Sequence, residues 1–242
     1  MHIHGAGGIG FDALGADPRE AARRLGEARS FLRARGVTTF LPTLVPREAE
    51  IGALAAGIEA GAFDEADLPG IDVEGPFIAT AKRGGIPAEF IRAPDPAFLA
   101  HILELSRGRL KLMTVAPELP GAEGIYEALR AAGVTVCLGH SDCSLEKAAI
   151  PDGRFSLTHL FNAMSPFSHR HGEAGLAMLP FLRELPFVEL NSDGVHVSDE
   201  ALLAASRAIS PESLILVSDA VVAAGLPYGD YSYFGMRVVS NE

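Results

Sequence analysis

Apolar positions along this chain alternate between two rhythms. Short continuous runs, VTTFLPTLV, GIDVE, LKLMTVAP, VTVCLGH, FSLTH, FVELNSD and LILVSD, are bounded by glycine, proline and polar clusters; such runs predict buried strands. Between them, apolar residues recur at helical spacing. After Asp17, a predicted N-cap, and Pro18 at the first helical position, Ala21, Ala22, Leu25, Ala28 and Leu32 mark one helix face, and Gly36 ends the run. PAFLAHILELSRG, GIYEALRAAG and SDEALLAASRAI predict further helices. Counting the short HIHG start as a strand gives eight strands, the number a parallel (β/α)8 barrel requires. The expected fold is therefore an α/β, TIM-type (β/α)8 barrel filling residues 1–242 as a single domain, with no linker or repeat. The helix due after the eighth strand is missing from the pattern. Residues 220–242, turn-rich and alternating, predict a loop and part of a hairpin.

Four of these runs end in a residue that can bind a metal or a proton: Glu74, His140, His159 and Asp219. In such a barrel the carboxyl ends of the strands converge on one face, where active sites lie. His2 and His4 are two apart, so on a strand both imidazoles point the same way and can grip one ion. By itself the pair could equally be a solvated terminus. Imidazoles and a carboxylate at strand ends match the N/O donor set of a zinc-like ion, although a lone strand-end histidine is usually a hydrogen-bonded core residue. Asp219 fits a ligand, a general base or a helix cap, and its place on the last strand favours the first two. Gly5, Gly7 and Gly10 satisfy a dinucleotide-binding G-x-G-x-x-G pattern, but that pattern needs a preceding apolar strand and a following helix. With only Met-His-Ile-His before it, the glycines predict a tight turn around a site instead.

Composition narrows the classes. A chain of 242 residues, 48% hydrophobic, is long enough for one barrel and its core. A net charge of −11 argues against nucleic acid or an anionic membrane as partner. No apolar run is long enough to span a bilayer, and the N-terminus lacks a basic, then apolar, signal segment. Cys137 in a strand and Cys143 in the loop after it read as free thiols in a reducing cytoplasm rather than a disulfide.

Whole motifs then carry a resemblance. HIHGAGGIGFD, DVEGPFIATAKRGGIP, TVAPE, LGHSD, THLFNAM, NSDGVHV and LVSDAVVAAGLP stand in the order and approximate spacing of the N-acetylglucosamine-6-phosphate deacetylase family of the amidohydrolase superfamily, which the chain resembles over nearly its whole length. The resemblance implies Glu74, His140 and His159 as principal metal ligands, with His2 and His4 matching the strand-one pair that some members use for a second metal. It implies a divalent ion, zinc first and Fe, Co, Mn or Ni as alternatives, one or two per chain. It makes Asp219 the catalytic residue, and sets Asn162, Ala163, Arg170 and the stretch Asp193, Gly194, Val195 and His196 around a sugar phosphate. The expected reaction is removal of the N-acetyl group. A metal supplies Lewis acidity and water activation there, Asp219 moves the proton, and Arg170 and His196 suit a phosphate dianion.

The chain also departs from the pattern. Ile86 stands where the family has a substrate-contacting histidine, and HRHGEAG around Arg170 carries extra residues. The accessory β domain and last barrel helix are largely missing, so the expected partner is a homodimer mate or another chain covering exposed apolar surface. Two other readings remain at this point: a catalytically silent or fragmentary relative serving as a binding or assembly subunit, and a TatD-type metal-dependent nuclease, against which the acidic charge and THLFNAM count.

Overall fold

A computed structural model describes residues 2–15, 17–61 and 63–240; Met1, Ala16, Ala62, Asn241 and Glu242, the last two in the predicted hairpin segment, lie outside the described residues. In chain order the strands and helices are β1 (His2–Ile3), β2 (Gly5–Ala6), β3 (Ile9–Gly10), α1 (Pro18–Arg33), β4 (Leu41–Leu44), α2 (Glu48–Ala60), β5 (Ile71–Glu74), α3 (Pro96–Leu105), β6 (Leu110–Val115), α4 (Ala122–Ala131), β7 (Thr135–Leu138), β8 (Phe155–Leu157), α5 (Leu179–Leu182), β9 (Phe187–Asn191), α6 (Asp199–Ala208), β10 (Leu214–Val217), β11 (Gly229–Tyr233) and β12 (Met236–Ser240). Eight of the strands pair in parallel in the order β1-β4-β5-β6-β7-β8-β9-β10, which, with α-helices in the connections other than β7–β8, is the (β/α)8 class. Among the described residues β10 is followed by the antiparallel β11–β12 hairpin rather than by a helix.

The chain forms two compact units. One comprises Met1–Glu74, Ala100–Lys111 and Asp219–Glu242; the other comprises Gly75–Leu99 and Leu112–Ser218. In the first, β4 pairs with β1 and β5, and the Ile71 N–H reaches the Arg109 carbonyl just before β6. Helix α1 starts as its sequence predicts: Asp17 caps it by accepting from the Arg19 N–H at 3.1 Å, and Ala21, Leu25, Ala28 and Leu32 are buried. Its end explains a difference from the sequence reading. VTTFLPTLV forms a strand only over Leu41–Leu44, because the Val37 N–H bonds back to the Leu32 carbonyl and so belongs to the helix terminus.

Residues 2–10 make a tight turn. Gly7 and Gly8 have φ of 60° and 87°, the pair of left-handed conformations that a two-residue hairpin requires, and β2 and β3 close over them. The next element is a single 3-10 turn over Phe11–Ala13, not a long helix, so the nucleotide-binding reading has no structural basis. The 219–225 segment laces onto this turn: the His4 and Gly5 N–H groups donate to the Ala220 carbonyl, Gly8 to that of Val222 and Gly7 to that of Ala224.

In the second unit β6 to β10 are paired consecutively in parallel. Val136, Leu138, Leu157, Val188 and Leu190 are buried on these strands, whereas Leu216 on β10 is 58% exposed. Cys137 and Cys143 are buried free thiols. No helix among the described residues is long and apolar enough to cross a membrane.

Candidate metal centre

The first unit gathers His2, His4, Glu74 and Asp219. His2 and His4 share a face because they are two residues apart, and Glu74 is the last residue of the neighbouring-but-one strand β5. Asp219, with φ of 50°, donates its N–H to the His2 carbonyl at 3.3 Å. The imidazole Nε2 atoms of His2 and His4 lie 3.2 Å apart, and each is 3.4 Å from Asp219 Oδ1. Glu74 Oε2 is 3.3 Å from His4 Nε2, and its Oε1 is 3.6 Å from His2 Nε2. Four donors held tetrahedrally at about 2.0–2.1 Å from one ion are about 3.3–3.4 Å from each other. The donor set and its spacing therefore fit a divalent cation, and His2, His4 and Glu74 form a buried group able to hold one.

The electrostatics agree. His2 Nδ1 faces Asp72 Oδ2 at 3.4 Å, a carboxylate behind an imidazole that leaves Nε2 turned to the cluster, and Thr43 Oγ1 lies 3.4 Å from the same oxygen. Burial opposes charge on His4, but its contacts with Asp219 and Glu74 outweigh this and lift its pKa to about 9. Glu74 and Asp219 thus favour positive charge at His4. Tyr233, from the tip of the β11–β12 hairpin, stands edge-on to His4 with ring centroids 6.0 Å apart, its phenol pushed far up by burial and then by the charges of Glu74, Asp12 and Asp219.

The second unit gathers His140 and His159, whose Nε2 atoms are also 3.2 Å apart. His140 Nδ1 lies 2.7 Å from the Lys82 carbonyl, so it carries the proton and Nε2 carries the lone pair. Both histidines have left-handed backbones, φ 48° and 29°, as do Phe161 and Ala163. Non-glycine residues in that region cost about 1–3 kcal/mol each and concentrate at functional sites. The Gly139 position is tight as well: a Cβ there would come within 2.8 Å of Thr158.

The predicted substrate residues of this unit form separate local groups. Asp193 Oδ1 accepts from the Val195 and His196 N–H groups at 2.9 Å each, and its Oδ2 meets His196 Nδ1 at 2.5 Å, leaving the half-exposed ring's Nε2 outward. Burial would raise the Asp193 pKa, but these bonds from His196 and Val195 depress it. Val195 itself is 85% exposed, and Gly194 turns with φ of 75°. Asn162 Nδ2 donates to Asn191 at 3.4 Å, and Ala163 accepts the Ser141 N–H. Arg170 lies on an exposed loop, with its own N–H bound to Ser168 Oγ. Ile86 is 4% exposed and packs inside, bracketed by a hydrogen bond from the Arg83 guanidinium to its carbonyl. Ile86→Ala is accordingly expected to lower stability by about 2–5 kcal/mol, the cost of a large-to-small change in a core, with zinc affinity unchanged; denaturant unfolding with a zinc titration checks both.

Sequence reasoning missed Asp72, although GIDVE alternates so that Asp72 and Glu74 face one side. It also missed Tyr233, for which no local signal exists.

The fold and these donor groups define a class: a (β/α)8 protein with histidines and carboxylates at the carboxyl ends of its strands. No family model matches the chain. Along nearly its whole length it is similar to the N-acetylglucosamine-6-phosphate deacetylases. It is 35% identical over 245 residues to the Danio rerio protein of that name, covering 96% of this chain and 59% of the relative. It is 33% identical over 248 residues to that of Bacillus subtilis (strain 168), covering 98% and 60%. The crystal structure of the Mycobacterium smegmatis deacetylase superposes with a TM-score of 0.84 at 32% identity, covering 96% of this chain and 60% of that one. A variant of the same protein has been solved in complex with N-acetyl-D-glucosamine-6-phosphate. The chain thus spans about three fifths of the length of these relatives.

Proposed function

We propose that this chain carries the metal-dependent site of an N-acetylglucosamine-6-phosphate deacetylase acting in the cytoplasm, with Glu74, His140 and His159 as principal metal ligands and His2 and His4 as further imidazole ligands. The observation that carries the reading is the spacing of His2 Nε2, His4 Nε2, Asp219 Oδ1 and the Glu74 carboxylate, 3.2–3.6 Å for the imidazole contacts, which suits one small cation. The lone pair of His140 Nε2, secured by the Lys82 carbonyl, supports the other half of the ligand set. Relatedness to deacetylases supports the substrate.

A divalent ion, zinc foremost, supplies Lewis acidity for an amide carbonyl and acidifies water. The chain's own groups do the rest. Asp219, 19% exposed at its side chain and turned to the two imidazoles, takes the proton of the attacking water and returns it to the leaving amine nitrogen. The Lys82 carbonyl keeps His140 in the tautomer that leaves Nε2 free to ligate, and Asp72 stands 3.4 Å behind His2 Nδ1 to favour cation binding there. The outward Nε2 of His196, Arg170 and the amide of Asn162 bind the sugar phosphate, with Ala163, Asp193, Gly194 and Val195 shaping that surface.

Elemental analysis of the purified protein tests the reading. One or two equivalents of a divalent transition metal, lost on chelation and restored by zinc, are expected; a protein that takes up no metal under any loading condition contradicts it.

A further inference from the structure

The loop that carries His140 is held by a residue that the proposed chemistry leaves idle. Glu118 follows β6 in the TVAPE motif. Its Oε2 accepts from Ser141 Oγ at 2.9 Å and its Oε1 from the Asp142 N–H at 2.8 Å. These are the two residues directly after His140, whose φ of 48° needs outside support. The clamp closes on the other side: the Ala79 N–H donates to the His140 carbonyl at 2.9 Å, His140 Nδ1 meets the Lys82 carbonyl, and Lys82 Nζ lies 3.4 Å from Asp142 Oδ1. One side of the clamp is sheltered: Ser141 and Cys143 are buried, and burial pushes the Cys143 thiol up to about 11, while Asp142 is exposed. Hydrogen bonds to a carboxylate are charge-assisted and stronger than neutral ones.

We infer that Glu118 is a positioning residue, which by gripping Ser141 and Asp142 holds the His140 imidazole in the pose that ligates metal. The inference rests on the reading of His140 as a ligand. An alanine at 118 releases both grips. A glutamine keeps them: its amide oxygen accepts from the Asp142 N–H, and its NH2 donates to Ser141 Oγ once that hydroxyl rotates.

Two readouts on the full chain test this. Zinc affinity, measured by competition with a chelator, is expected to fall about 10–100-fold in Glu118→Ala, the range for losing an outer-sphere partner, and to stay within about threefold of wild type in Glu118→Gln. Ser141→Ala, which removes one grip only, is expected to fall between them. In zinc-free protein, imidazole ¹⁵N shifts should report His140 protonated at Nδ1 in wild type and Glu118→Gln, and a mixture of tautomers in Glu118→Ala. If Glu118→Ala fails to fold, Ser141→Ala carries the test. A lower unfolding midpoint with unchanged zinc affinity and unchanged His140 shifts, in Glu118→Ala or Ser141→Ala, overturns the inference and leaves Glu118 a structural group. If wild type binds no zinc, the metal reading fails, and the tautomer readout decides the Glu118–His140 coupling alone.

Discussion

Replacing Asp219 by asparagine is expected to lower turnover by about 10²–10⁴-fold, the span of general acid–base loss, while the fold and most of the metal affinity persist. The side chain keeps its shape, so its left-handed backbone, the N–H bond to the His2 carbonyl and the packing of 219–225 on the glycine turn are untouched. An amide oxygen can still face His2 and His4. What asparagine cannot do is take a proton from water and give it back to an amine. Circular dichroism should therefore match wild type and a zinc titration should show most of the affinity kept, while steady-state kinetics collapse in kcat more than in KM. Near-normal turnover in Asp219→Asn removes the residue from the mechanism.

Glu74→Gln is expected to cost stability both without and with metal. In metal-free protein Glu74, only 4% exposed, faces His4, whose pKa, despite burial, Asp219 and Glu74 lift to about 9. The substitution removes a buried partner of a charged imidazole, so the chelated variant should unfold more readily than chelated wild type. With zinc the gap widens. A ligand present at about 1,000 times its Kd adds about 4 kcal/mol to the folded state, and wild type should gain that while Glu74→Gln gains little. The loss of zinc affinity should exceed the roughly 10–100-fold that outer-sphere changes cause. Thermal unfolding of both proteins, with chelator and with saturating zinc, gives the four midpoints. A variant stabilised by zinc as much as wild type would take Glu74 out of the ligand set.

Much of this was legible in the sequence because its physics is local. An apolar run bounded by turn residues makes a strand wherever it falls, so the positions of Glu74, His140, His159 and Asp219 at or just beyond strand ends followed from pattern alone. The His-x-His pair followed from the period-two geometry of a strand. The helix start at Asp17 and Pro18 was readable because capping needs neighbours only a few residues away. What escaped depends on contacts distant in sequence. Glu118 reaches a loop 23 residues on, and Tyr233 meets His4 from the other end of the chain. Val37 to Phe40 look like strand in composition, yet helix α1 claims the first of them for its own termination. Ile86 illustrates the reverse limit: by resemblance it marks a lost substrate contact, and only the fold shows its side chain inside the core.

The most direct test of the account is acetate release from N-acetylglucosamine 6-phosphate by the purified full chain, assayed as zinc-loaded and as chelated protein. The account predicts acetate from the loaded protein, none above background after chelation, and recovery when zinc is returned. Zinc-loaded protein that binds its metal yet releases no acetate from this substrate would contradict it.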